Sequence, residues 1–275
     1  MNSIAELILG VLDPEDSGAY GNYRKAIVNA FDSEPPPYGT RLYGEKFREV
    51  AQDPSWFATS LLINAEREAE GSGRLWNLAA STTDPEISAC VKVHAIDESR
   101  HAKWYVAILD LAFPGAIDES VRGFADSISP QYTAEMTPIA DASSLFSRQV
   151  SVDDLIQMNI AEIRTAINQK LQLPLILAYA PAQNRSKLNT LLDRLSKDEF
   201  LHIDYSARLI QRLSSDVGID YITDLMKERM RDFNEITCEE VELGVFPLHC
   251  SNKKCWLENG EKSCVKKRDE TAVEQ

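Results

Sequence analysis

The chain has 275 residues, 44% of them hydrophobic, enough for one sizeable core with appendages. No basic stripe interrupts its formal charge of −14, and no run of eighteen apolar residues occurs, so neither a nucleic-acid partner nor a membrane span is expected. The N-terminal stretch lacks a basic leader and carries Glu6 among its apolar residues, so no secretory signal is read and a cytoplasmic location is expected.

Residues 1–52 read as a helical lead-in with a loop, ending near Pro35-Pro36-Pro37. Asp53-Pro54 then supplies a capping side chain and a first-turn proline, predicting a helix to about Ala80. The cluster Ser81 to Glu86 closes that helix and caps a second, which stops near Ala112, before Pro114-Gly115. About forty residues of connection follow, with a short helix expected inside. The acidic start Ser151-Val152-Asp153-Asp154 opens a third helix that continues to about Tyr179. Ala180 to Asn184 breaks the chain, a fourth helix runs to about Ser214, and a further one covers roughly 218–240.

Residues 241–275 are polar and hold three of the five cysteines, and their end is expected to be disordered. The odd cysteine count argues against a disulfide framework. His249, Cys250, Cys255 and Cys264 could hold zinc, but their spacing matches no standard site, and reduced thiols are the plainer expectation. Alternating β-branched stretches are nearly absent. The expected fold is therefore all-α: residues 53–240 form two helical hairpins joined by one long crossover, with an added C-terminal helix.

The chain holds four histidines, His94, His101, His202 and His249, and two of them stand in the same word. Asp97-Glu98-Ser99-Arg100-His101 and Asp198-Glu199-Phe200-Leu201-His202 both read Asp-Glu-x-x-His on a predicted helix. Residues three apart share a helix face, so each Glu and His can converge on one cation. A single such pair is often a surface feature; two identical words among four histidines are not readily coincidental. Two metals need further carboxylates from the other two helices. Glu162 is the one acidic residue in a long, mostly apolar stretch of the third helix. In the first, Glu66, Glu68 and Glu70 compete. Residues equally far from a short turn lie level in an antiparallel hairpin. The midpoint of Glu66 and Glu98 is residue 82, and that of Glu162 and Glu199 falls between 180 and 181, both within turns inferred from capping and proline signals. Glu68 also fits this test and Glu70 fits it less well; Glu66 is preferred because Leu62, Glu66, Ala69 and Gly73 make one face.

These residues resemble the ferritin-like di-iron carboxylate superfamily over roughly residues 53–214, and the doubled motif looks more like its oxygen-activating members than its storage ferritins. The resemblance implies two iron ions (Fe/Fe, or Mn/Fe) held by Glu66, Glu98, His101, Glu162, Glu199 and His202. Dioxygen would be the co-substrate and a small organic molecule the substrate. In multicomponent monooxygenases an Asp before each motif Glu orients an imidazole, and Asp97 and Asp198 match those positions. Single-component di-iron oxygenases such as the p-aminobenzoate N-oxygenases carry an extra metal-binding His four residues before a motif Glu. His94 has that spacing from Glu98, but on the second helix of the bundle rather than the last; an extra ligand, a partner to a ligand and a packed residue stay open for it. Tyr105 stands four residues after His101, the spacing at which the ribonucleotide reductase small subunit carries its radical tyrosine; a core aromatic at helical spacing is the plainer expectation. Gly71 and Gly73 make room either for substrate or for close helix packing.

The leading expectation is a di-iron oxygenase or oxidase working by hydroxylation, N-oxygenation or oxidative cleavage. A radical-generating subunit and a ferroxidase or iron-handling protein are the alternatives. No flavin or ferredoxin motif is visible, so a separate electron donor is expected; a homodimer is left open.

Overall fold

The computed structural model describes residues 2–15, 17–116, 123 and 129–241. Eight α-helices of more than one turn lie among them: α1 (Ser3–Leu12), α2 (Gly21–Ser33), α3 (Arg41–Val50), α4 (Pro54–Ser81), α5 (Pro85–Ala112), α6 (Val152–Tyr179), α7 (Arg185–Val217) and α8 (Ile219–Glu240). No strand occurs among the described residues, as the sequence predicts.

Helix starts follow the capping chemistry. Asp53 accepts from the Ser55 amide at 2.8 Å, and Asp84 from those of Glu86 and Ile87 at 3.0 Å each. Ser151 and Asp154 form a reciprocal capping box, with Asp154 also clamped by both terminal nitrogens of Arg148 at 2.6 Å. Each such cap contributes about 1 kcal/mol and, more usefully here, fixes where the helical register begins. Gly218, at φ +89°, makes the reversal between α7 and α8 that a residue with a Cβ would resist.

Helices α4 and α5 form one tight hairpin, and α6 and α7 the other. The first is drawn close by small residues: Ala65, Ala69 and Ser72 on α4 are buried, as are Ala95 and Ala102 on α5. The Ser72 hydroxyl donates to the Ala95 carbonyl at 2.6 Å. Between the hairpins, α5 packs against α7. The crossover is pinned on the first hairpin: Tyr132 stacks on Trp76 with ring centroids 4.0 Å apart. Gln149 accepts from the Thr83 amide at 2.9 Å. Residues 129–150 contain no helix, Gly123 is helical, and the rest of the crossover, where the short helix is expected, lies outside the described residues.

The lead-in is more helical than expected and packs on the bundle. Helix α2 lies against α7 and α8. The buried Tyr23 hydroxyl donates to Asn159 Oδ1 on α6 at 2.8 Å, and Asn159 in turn donates to Ser206 Oγ on α7 at 2.9 Å. Residues 242–275, including His249, Cys250, Cys255 and Cys264, lie outside the described residues, and so do the expectations of zinc and of disorder made for them. Cys238 is buried and Cys90 half-buried, both without a disulfide. Among the described residues no helix is long and apolar enough to cross a membrane.

Candidate metal centre

The two Asp-Glu-x-x-His words meet in the middle of the bundle, where α5 faces α7. Glu98, His101, Glu199 and His202 are all buried, at 6%, 0%, 1% and 2% exposure. Glu162 enters from α6, and Glu68, half-buried, from α4. Two groups of converging ligand atoms result. One is His94, Glu98, Glu162 and His202, the other Glu68, Glu98 and His101, and within each the atoms lie within 4.8 Å of one another.

The imidazoles are aimed by partners behind them. Asp198 lies 3.2 Å from His101 Nε2, and Asp97 lies 3.3 Å from His202 Nε2. Each aspartate therefore serves the histidine of the opposite helix. Arg100 bridges the pair, donating to Asp97 at 2.5 Å and to Asp198 at 3.0 Å while its guanidinium lies over Trp104, 5.0 Å from the ring centre. With Nε2 engaged outward, the Nδ1 atoms of both rings face the carboxylates. His101 Nδ1 is 3.3 Å from Glu98, and His202 Nδ1 is 3.5 Å from Glu98 and 3.6 Å from both Glu162 and Glu199. Gln169, a buried side chain the sequence reading passed over, donates to Glu199 Oε1 at 2.8 Å and approaches the Tyr105 hydroxyl at 3.5 Å.

The charges settle as two acid–carboxylate pairs, one per hairpin. Burial and the negative charge of Glu98 push Glu68 well above the usual carboxylate range. Burial also opposes ionisation of Glu98, yet the close approach of Glu68, His101 and His94 holds it well below that range. In the second hairpin, burial and the charge of Glu162 raise Glu199 to about 8. Glu162 is held low, against its burial, by the charge of His94 and by the close approach of Glu199 and His202. His101 is pushed up to about 9: burial works against its cationic form, but Asp198 and Glu98 outweigh it.

These residues could hold a metal ion. His94 Nε2, His101 Nδ1, His202 Nδ1, Glu98 Oε1 and Glu199 Oε2 are all buried without a hydrogen-bond partner, and all belong to this cluster. Five orphaned atoms in one place are costly unless a cation completes them, since each unpaired buried polar group costs about 1–3 kcal/mol. Separations of 3.2–3.6 Å among the inward atoms are close to the ~3.0–3.4 Å edges of a coordination polyhedron with bonds of about 2.1 Å.

A cavity of about 540 Å³ opens from the cluster between α4 and α6. Ile63, Gly71 and Leu75 line it on one side, Met158, Ala161 and Thr165 on the other, and it reaches Glu68, His94, Glu98, Tyr105 and Glu162. Arg67 and Arg164 also line it and share the carboxylate of Glu240.

Of the sequence-derived set, Glu98, His101, Glu162, Glu199 and His202 are brought together, with Asp97 and Asp198 behind the imidazoles. Glu66 is the correction. It belongs to neither converging group, and Glu68 stands in its place. Two residues on a helix are about 200° apart, so only one can face inward. The buried stripe of α4 runs Leu61, Ala65, Ala69, Ser72, Leu75 and Ala79. Glu68 lies on that stripe and Glu66 does not; the face drawn through Leu62 is one residue out of phase. Midpoint geometry survives the change, because the midpoint of Glu68 and Glu98 is residue 83, still in the turn. Tyr105 is buried against Gln169 beside the site. His94 is drawn fully into it. A Cβ on Gly71 or Gly73 would meet nothing within 4 Å, so close helix packing does not account for either glycine, and Gly71 borders the cavity.

No protein-family model, no curated protein and no solved structure matches the chain, so the reading of this centre rests on its own geometry.

Proposed function

We propose that the chain is a non-haem di-iron enzyme of ferritin-like type that activates dioxygen to oxidise a small organic molecule. The observation that carries this reading is the convergence of imidazoles and carboxylates from four helices, with five of their atoms, on α5 and α7, buried without a hydrogen-bond partner. Glu68, Glu98, His101, Glu162, Glu199 and His202 would hold the metals. Bound there, a pair of irons supplies the reducing equivalents and oxygen affinity that side chains lack.

The protein's own residues do the rest. Asp97 and Asp198 fix the tautomers of His202 and His101 so that Nδ1 lone pairs point inward. Gln169 holds one oxygen of Glu199 and leaves the other free. The cavity's largely apolar walls admit an organic substrate beside Glu68 and Glu162. That cavity favours oxidation of an organic molecule over simple iron handling. A separate reductase, or the substrate itself, would supply electrons. Tyr105, buried with its hydroxyl near the Gln169 amide that also holds Glu199, supports a radical-generating role as the second reading.

Anaerobic reconstitution with Fe(II), iron counting, and rapid mixing with oxygenated buffer test the proposal. Near two irons per chain and a transient visible absorbance band are expected; one iron or none, or no reaction with oxygen, overturns it. A persistent tyrosyl signal by electron paramagnetic resonance, absent in Tyr105→Phe, would instead favour the radical role.

A further inference from the structure

The two groups of converging atoms are unlike each other. The first contains two imidazoles, His94 and His202, with Glu98 and Glu162; the second contains one, His101, with Glu68 and Glu98. The difference is His94. A histidine buried only for packing finds partners for both ring nitrogens. His94 is 2% exposed and finds one: its Nδ1 meets the Tyr205 hydroxyl at 2.7 Å. Its Nε2 has no hydrogen-bond partner and points between Glu98 Oε1 at 3.3 Å and Glu162 Oε1 at 3.2 Å. The ring stacks on that of His202 with centroids 3.8 Å apart, so both present nitrogen to the same point.

Tyr205 sets the tautomer. If Nδ1–H donates to the phenol oxygen, the Nε2 lone pair faces inward, and the phenol's own proton can go to Met158 sulfur, 3.6 Å away. His94 thus has what an aspartate gives His101 and His202, supplied by a neutral group.

We propose that His94 is a metal ligand and that the two metal positions are therefore unequal. The nitrogen-rich position of His94 and His202 fills first and holds divalent first-row cations tightly. The carboxylate-rich position of Glu68 and His101 fills second and exchanges its ion more readily. Imidazole suits later first-row cations such as iron, nickel, copper and zinc, while carboxylates suit harder ions such as magnesium, calcium and manganese. The inference rests on the metal-binding half of the functional reading above, not on its oxygen chemistry.

Anaerobic titration of the full chain with Co(II), followed by calorimetry and by the visible absorbance of bound cobalt, tests it. Two resolved steps are expected, separated by at least about tenfold in affinity. His94→Ala weakens the first step by about tenfold or more and leaves the second nearly unchanged. Glu68→Gln removes the second step and spares the first. Tyr205→Phe also weakens the first step relative to the natural chain, and a first step untouched there overturns the proposal even if His94→Ala fails to fold. Two equal steps in the natural chain, or a first step untouched in folded His94→Ala, overturn the proposal. No cobalt bound at either position overturns it together with the functional reading. Two unequal steps in a chain whose iron form ignores oxygen uphold it while overturning the oxygenase reading.

Discussion

The two sides of the centre are built differently. On one, α5 and α7 pack together and are tied by crossed Asp–His contacts, with Arg100 spanning both aspartates. On the other, α4 and α6 each send in a single glutamate, and the cavity lies between them. The contrast divides labour. One side holds ligands in place at the expense of space, the other keeps space at the expense of contacts, and a centre that must bind metal and admit a second molecule needs both.

The largest effect that should break the contrast is loss of Glu98, the one residue common to both converging groups. Glu98→Ala should empty both metal positions. The affinity loss should exceed the ~10–100-fold that removal of a ligand's supporting partner typically costs, as read by iron per chain after anaerobic reconstitution. Acid should have nearly as strong an effect. Glu199 holds a proton below about 8 and His101 below about 9, so metal entry at neutral pH must expel protons. Affinity should then fall as pH drops from 8 to 6, by about tenfold per pH unit for each proton displaced. Calorimetry in buffers of different ionisation enthalpy counts those protons; a pH-independent affinity would contradict the assignment.

Asp198→Asn should act mainly on the packed side, lowering metal affinity by about 10–100-fold with little change in fold. The same change in an exposed aspartate such as Asp193 is the control. Tyr23→Phe strips the partner from Asn159 Oδ1. It should cost about 1–3 kcal/mol by thermal denaturation and leave the metal count at its natural value. Smallest of all, Gly71→Ala on the open side should raise stability by about 1 kcal/mol, because a Cβ there meets nothing. Gly71→Leu should fold equally well but shrink the cavity, and so lower substrate turnover more than the yield of iron per chain.

Much of this was readable in the sequence, and the boundary of what was not has a physical origin. Asp53-Pro54, Asp84-Pro85 and Ser151-Asp154 announce three helix starts because capping is local chemistry, decided within four residues. The paired motifs announce the centre because helical spacing alone brings Glu and His to one face. Glu66 against Glu68 hangs on whether Leu61 or Leu62 starts the buried stripe. These neighbours are about 100° apart on a helix whose half-buried residues blur its polarity. His94 is visible as sharing a face with Glu98, yet whether its second nitrogen has a partner depends on Tyr205, 111 residues later. Nothing on α5 alone shows that Asp97 reaches His202 rather than its own turn, since helical periodicity is silent about how two helices are rotated against each other.

The crossed pairing also bears on how such a sequence can drift. Asp97 supports a histidine coded about a hundred positions downstream, Asp198 supports one coded about as far upstream, and Arg100 touches both aspartates. Neither copy of the motif can decay alone, because a change in one falls on the ligand of the other, and pairs of changes here should combine non-additively. The two words should therefore tolerate change only together, as a double substitution tested against its two singles would register.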